Sequence, residues 1–320
     1  MAEDPGSPDI VCVTLNPAVD RTLEVRGLDV GQHVKGRLVS RHPAGKAVNV
    51  ARVLQHLGQP CVLTGFVGET ERAMFERSFD SSLVHTQLFG LDSPTRENIT
   101  LVDPEKGLET HIRDEGPDIG SDDQERLVKK LRILAKPNMW LVMAGSLPRG
   151  LDVGRLREIL QAVMERGARV VLDSSEGALG IVQDLPVWLI KPNQSELAAL
   201  SGRKTGTRDE IVAAVHGVKR VAQIILVSAG QEGCYLVEGD TILHGRMRES
   251  PKRVTNTVGS GDALLAGFLA ARAGGLDPQN CVRRAVATAT SACLQLRAGE
   301  IDPDEVLPLV DQVVVETLAD

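Results

Sequence analysis

The sequence predicts an α/β fold, a central and mostly parallel sheet covered by helices on both faces, with a small second sheet projecting from it. Short β-branched runs alternate with longer amphipathic segments from Asp9 onward. Most of those runs are continuously apolar, as strands covered on both faces are. Four other segments are short, alternating and polar, with no crossover helix between neighbours, and these give the small sheet.

In chain order, the strands of the main sheet are IVCVT (10–14), CVLTG (61–65), WLVMA (140–144), RVVLD (169–173), VWLIK (187–191) and IILVS (224–228). Between them, GKAVNVARVLQHL places Ala47, Val50, Ala51, Leu54 and Leu57 on one helical face, and VGRLREILQAVMERG repeats the pattern. After Gly261 the chain turns helical through ALLAGFLAARAGG, and two more helices are expected to close it. The small sheet is expected from 22–25, 35–41, 98–102 and 108–113, so that about 22–41 and 96–114 form a lid or a dimer surface. Residues 1–9 read as a polar tail and 10–320 as one domain.

Composition narrows the function. Of 320 residues, 42% are apolar and 25% charged, enough to build a core without metals or disulfides. A net charge of −7 and 2% aromatic residues argue against nucleic acid as a partner. The five cysteines are widely spaced, with no C-x-x-C pair, which points to a reduced cytoplasm. The start lacks a signal-peptide pattern and no apolar run approaches membrane-spanning length, so no membrane role is expected.

The most informative stretch is NTVGSGD (256–262), which leads straight into an Ala/Leu-rich helix. Gly259 and Gly261 flank Ser260 at a helix start, so several backbone N–H groups can point at one anion that approaches closely. Asp262 would repel that anion unless it has work to do, such as accepting a proton from an attacking hydroxyl. The alternative is a helix-start aspartate favoured by the macrodipole, and motif shape alone leaves both open. Neither a dinucleotide fingerprint nor a G-x-x-x-x-G-K-[ST] loop is present.

These residues resemble the PfkB/ribokinase family of carbohydrate kinases, over a span from about Ile10 to the last helices. NTVGSGD matches the family signature D-T-x-G-A-G-D at Thr257, Gly259, Gly261 and Asp262, while Asn256 and Ser260 depart from it. TLNPAVD (14–20), PAGKAVNVAR (43–52), AGSLPRG (144–150), VVLDSS (170–175), KPNQSEL (191–197) and SAGQEG (228–233) follow in the order of the family's sugar-phosphate kinase branch. The resemblance implies a ribokinase-like three-layer α/β/α core with a β-sheet lid. It also implies transfer of the γ-phosphoryl of ATP to a ketohexose phosphate, foremost fructose 1-phosphate. Tagatose 6-phosphate and fructose 6-phosphate are the alternatives, and a non-catalytic sugar-phosphate sensor is a further one.

The resemblance assigns roles residue by residue. Asp262 is the base, and the backbone of Gly259, Ser260 and Gly261 stabilises the transferring group. Asn193 and Glu196 hold Mg2+ through water, beside the reading that they are a helix cap with its capping-box glutamate. Lys191, Asn193, Ser228, Gly230, Gly233 and Thr257 line the nucleotide. On the acceptor side stand Asp20, expected in the loop that ends the first strand, with Gly45, Lys46 and Asn49. Arg96, Ser146 and Lys35 are assigned to the acceptor and its phosphate. Ala44 and Ala47 replace two glycines of the family form G-G-K-G-x-N. An alanine is costly there if the position needs positive φ and tolerable if it is only a close approach. A homodimer through the small sheet completes the expectation.

Overall fold

The computed structural model describes residues 9–174, 176–251 and 253–318. The expected polar tail lies outside them except for Asp9, as does Ser175 of VVLDSS. The strands are β1 Ile10–Thr14, β2 Ala18–Glu24, β3 Arg37–Ala44, β4 Cys61–Gly68, β5 Val84–Leu91, β6 Arg96–Asp103 and β7 Leu108–Arg113, followed by β8 Trp140–Ala144, β9 Arg169–Asp173, β10 Val187–Ile190, β11 Ala222–Ser228, β12 Cys234–Glu238, β13 Thr241–Met247 and β14 Val313–Leu318. The helices are α1 Lys46–His56, α2 Glu69–Glu76, α3 Ser121–Leu134, α4 Val153–Met164 and α5 Glu176–Leu179, then α6 Gln194–Ser201, α7 Arg208–Val218, α8 Ser260–Ala273, α9 Pro278–Leu294 and α10 Pro303–Val310.

The main sheet runs β14-β13-β12-β11-β10-β9-β8-β1-β4-β5. It is parallel from β11 to β5 and antiparallel from β11 to β14. Side chains alternate across it, so Ile10 and Cys12 join a core with α1, α8 and α9, while Val11 and Val13 join one with α3, α4 and α7. This is the three-layer arrangement expected from the sequence. Because the strands run parallel, Thr14, Ala144, Asp173, Ile190 and Ser228 end at one edge of the sheet, the side where such sheets take ligands.

Helix α1 departs from the simple amphipathic expectation, because residues 47–54 are all buried between the sheet and α8. Asn49 and Arg52 are therefore buried polar groups inside the protein. The four short polar segments do pair as a separate sheet, in the order β3-β2-β6-β7. Their strands reach further than expected, β2 starting at Ala18 and β3 running on to Ala44.

The end of the described chain and the place of Asp20 differ from expectation, and β5 and a hairpin come in addition to the expected strands. The described chain ends in β14, not in a helix, because the β-branched run after α10 pairs antiparallel with β13. β5 extends the sheet beyond β4. The turn at Gly239 and Asp240 joins β12 and β13 as a hairpin. Asp20 sits inside β2 of the small sheet and not in the loop that ends the first strand.

Candidate active site

A cavity of about 640 Å³ opens at the N-terminal ends of β9, β10 and β11, bordered by Arg169, Trp188, Arg220 and Gln223. The charged groups that converge lie at the opposite end of the strands, and they define the site.

Asp173 ends β9 and is fully buried. Lys46, the first residue of α1, donates to its Oδ1 at 2.8 Å, and Lys191, just beyond β10, lies 3.2 Å from its Oδ2. Two cations thus stand over one buried carboxylate at the mouth of the sheet. Burial opposes the Lys46 charge, yet Asp173, with Asp262 and Glu196 beyond it, outweighs that and holds its pKa above the ordinary lysine value.

Asp262 lies in the first turn of α8 and is 6% exposed. Asn49 Nδ2 donates to its Oδ2 at 2.8 Å. Burial, and after it the Asp173 charge, push its pKa up to about 7, against the opposing pull of Asn49, Lys191 and Lys46. That places the group where a general base works best near neutral pH. Asn49 Oδ1 is enclosed with no hydrogen-bond partner among the described residues.

The turn before α8 has the conformation that an anion cradle needs. Gly259 caps the helix at φ 82°, where a side chain would be strained, and an added Cβ would stand 3.0 Å from the Ala298 Cβ. At Gly261 a Cβ would meet Lys191 Nζ at 3.3 Å, so the bare backbone leaves room in front of that lysine. Thr257 is exposed and its carbonyl accepts from Ser260 Oγ at 2.9 Å. Asn256, where the family signature has aspartate, closes the turn by accepting from Val258 N and donating to the Leu296 carbonyl.

The nucleotide-side residues meet beside this cradle. Asn193 pairs with Ser228 across an isolated parallel bridge, and Ser228 N donates to the Pro192 carbonyl at 3.0 Å. Gly230 and Gly233 both have positive φ, and a Cβ on Gly233 would stand 2.0 Å from the Gly245 carbonyl oxygen. The capping reading of N-x-x-E is present in full: Asn193 Oδ1 accepts from Glu196 N, and Glu196 Oε2 accepts from Asn193 N, each at 2.9 Å. Ser195 Oγ also donates to Asn193 Oδ1, so that oxygen is already occupied. Glu196 keeps its other carboxylate oxygen without a described partner. No group of three or more acidic, His or Cys side chains that could hold a metal occurs among the described residues. One spare carboxylate oxygen suits a hydrated magnesium ion held chiefly by phosphates.

On the acceptor side the residues are differently committed. Gly45 caps α1 at φ 124°, and its Cβ would stand 3.2 Å from Pro17 Cα. Ala44 has no positive φ and is 3% exposed, so the position is a close approach and the alanine is tolerated. Ala47 is buried inside α1. Asp20 Oδ1 accepts from Asn98 Nδ2 at 2.8 Å. Ser146 Oγ accepts from Asn16 Nδ2 at 3.3 Å. Arg96 donates to the carbonyls of Asn16, Pro17 and Asp114, which leaves two of its five N–H groups for a ligand. Lys35 lies exposed in the loop between β2 and β3, without a hydrogen bond or ion pair among the described residues, and the structure does not bring it to the others.

The sequence reading assigned no role to Asp173. Its signals were a carboxylate closing an apolar strand run, RVVLD, and its place in VVLDSS.

A buried carboxylate with a pKa near 7, a glycine turn at a helix start and two lysines on a shared carboxylate thus converge at one end of an α/β core. The sequence pattern of the pfkB family carbohydrate kinases matches residues 9–305, and the chain belongs to that family. It is 33% identical to a 1-phosphofructokinase of Vibrio cholerae over 97% of each chain, and 27% identical to a tagatose-6-phosphate kinase of Staphylococcus epidermidis over 96% of this chain and 99% of that one. A solved structure of the tetrameric inhibited form of phosphofructokinase-2 from Escherichia coli superposes with a TM-score of 0.86, at 23% identity, covering 95% of this chain and 98% of that chain. The protein is an ATP-dependent carbohydrate kinase. Among the described residues no helix is long and apolar enough to cross a membrane.

Proposed function

We propose that this chain phosphorylates the free primary hydroxyl of a ketohexose phosphate, fructose 1-phosphate first among them, to give fructose 1,6-bisphosphate and ADP. The observation that carries the reading is Asp262, a buried carboxylate with a pKa near 7 directly behind the Gly259–Gly261 cradle. The relatives named 1-phosphofructokinase and tagatose-6-phosphate kinase supply the acceptor class.

The hydroxyl oxygen attacks the γ-phosphorus while its proton passes to an Asp262 carboxylate oxygen. The bond from phosphorus to the β,γ-bridging oxygen breaks, and ADP leaves with that electron pair. Asn49 orients Asp262 through the 2.8 Å hydrogen bond, and backbone N–H groups around Gly261 meet charge on the transferring group. Asp173 holds Lys46 and Lys191 over the phosphates, where they offset the negative charge of both substrates. Glu196, through water, would hold Mg2+, which supplies charge neutralisation at the phosphate oxygens when bound, while Asn193, whose Oδ1 is taken up by Glu196 N and Ser195 Oγ, would position that carboxylate. Lys191, Ser228, Gly230, Gly233 and Thr257 would line the nucleotide, and Asp20, Gly45, Lys46, Asn49, Arg96, Ser146 and Lys35 the acceptor.

Five unpaired cysteines suit work in the cytoplasm. One face of the small sheet leaves Leu38 and Ile112 half exposed opposite Leu23 and Ile99, with Leu108 exposed further along β7. A second copy of the chain would cover that row, giving a homodimer.

The test is ADP release with fructose 1-phosphate, fructose 6-phosphate, tagatose 6-phosphate and unphosphorylated fructose. The highest kcat/KM is expected for fructose 1-phosphate. Fructose used as well as any sugar phosphate overturns the acceptor assignment. Tight sugar-phosphate binding with no ADP release makes the protein a sensor instead.

A further inference from the structure

The strand register of the small sheet brings four polar residues into one line. Asp20 on β2 stands opposite His42 on β3 and Asn98 on β6, and Asn98 stands opposite Arg113 on β7. Directly opposed residues share a face, so His42, Asp20, Asn98 and Arg113 form a row with one member from each strand. The other face carries the apolar residues Leu23, Leu38, Ile99 and Ile112. The polar row is turned toward the body, since His42 feels the charges of Arg52, Arg297 and Glu300, and Asp20 acts on both Arg52 and Arg96.

Several atoms of the row lack partners among the described residues. Asn98 spends its amide nitrogen on Asp20 Oδ1, while Asn98 Oδ1 and His42 Nδ1 are enclosed without a hydrogen bond. Asp20 keeps Oδ2 free of any described donor. Enclosed polar atoms without partners are costly, and hydroxyl groups, which both donate and accept, satisfy such a set. At the far end Arg113 has no described ion pair and lies close enough to Arg96 for its charge to help lower the Arg96 pKa. Two neighbouring guanidinium groups, one with two N–H groups to spare, suit a phosphate dianion.

We propose that His42, Asn98 and Arg113 join Asp20 in reading the acceptor, with its phosphate at the Arg113 end and its hydroxyls along Asn98, Asp20 and His42. This rests on the sugar-phosphate reading above and gives it a direction. The row spans roughly 14 Å, three inter-strand spacings, and its β3 end leads through Gly45 into α1, whose Asn49 holds Asp262. An acceptor lying along the row would present its free hydroxyl at the β3 end, the end from which the chain enters α1.

Calorimetric titration with fructose 1-phosphate in the absence of nucleotide tests the row apart from turnover, and ADP release is measured on the same preparations. Asn98→Leu and His42→Leu are expected to weaken sugar-phosphate binding about tenfold or more, and Arg113→Gln about 10- to 100-fold. His42→Gln, which keeps a donor and an acceptor, should lose less than His42→Leu. ATP affinity and melting temperature are expected to stay within twofold and a few degrees of wild type. Fructose affinity should not change in Arg113→Gln.

A wild type that turns over fructose 1-phosphate, with variants that bind it equally well, overturns the row and leaves the kinase reading standing. Binding without turnover in the wild type, lost in the variants, supports the row and removes the kinase reading. A wild type that neither binds nor phosphorylates the sugar phosphate overturns both.

Discussion

Replacing Asp262 with Asn tests the mechanism at its centre. The change is nearly isosteric, and a neutral amide is easier to bury than a carboxylate at a position only 6% exposed. Its oxygen can still accept from Asn49. Turnover should fall by about 100-fold or more, about 2.7 kcal/mol of barrier, while affinity for ATP and sugar phosphate changes little. The wild-type rate should follow the ionised fraction of Asp262. With the pKa at about 7, that fraction is about a tenth at pH 6 and about nine-tenths at pH 8, so activity rises with pH and levels off above 7. The effect on stability has the opposite sign. The folded pKa stands above the unfolded carboxylate value near 3.8, so the fold binds the extra proton and loses that stabilisation as pH rises through this window toward 7. Asp262→Asn removes the loss and should melt at the same temperature as wild type or higher at pH 8. Asp173→Asn deletes the second cause of the raised pKa and frees two lysines, so the activity midpoint should move to lower pH. Coupled ADP release from pH 5.5 to 8.5 on the three proteins reads all of this. A flat wild-type profile, or a wild-type kcat in Asp262→Asn, refutes the assignment of the base.

The remaining predictions concern metal, acceptor and assembly. Glu196→Gln should raise the magnesium concentration for half-maximal activity several-fold while leaving the sugar KM near wild type, because the carboxylate oxygen outside the capping box is the one proposed to hold the hydrated ion. A magnesium titration checks this, and a defect confined to the sugar KM rejects it. Arg96→Ala should erase much of the preference for phosphorylated over unphosphorylated fructose. It should also lower the melting temperature by a few degrees, because the carbonyls of Asn16, Pro17 and Asp114 lose their donor. Ile112→Lys, on the half-exposed row of the small sheet, should shift the light-scattering mass from about twice 34.4 kDa toward a single chain. A fully active wild type that is already monomeric at micromolar concentration rules the dimer out.

The parts of the fold that the sequence made legible are those where burial imposes a period. The parallel strands are covered on both faces, so 10–14, 140–144 and 169–173 read as continuous apolar runs and occur as such. The small sheet alternates because one face meets solvent. β13 escaped because it mixes apolar and polar residues, as in TILHGRM, and resembles a loop, while β12 and β14 are short apolar runs that both pair with it. The candidate site divides along the same line. Gly259 and Gly261 announce a cradle because glycine has few other uses at a helix start, whereas a single aspartate at a strand end announces nothing. Asp173 gains its meaning only when the fold brings Lys46 to it from 127 positions away. Arg96 shows the converse. Its charge was read as open to a phosphate, yet three of its N–H groups hold backbone carbonyls, a commitment no motif records. Helix α1 joins both kinds of information. Lys46, Asn49, Arg52 and His56 recur at helical spacing, so they lie along one side of the helix. There they meet Asp173, Asp262, the carbonyls of Pro43 and Ala298, and Glu300 in turn. A helix buried over most of its surface thus carries a polar stripe in which each member fixes a different segment. Through that stripe the end of the small sheet, the base and the loop behind Gly259 are held by one rigid element.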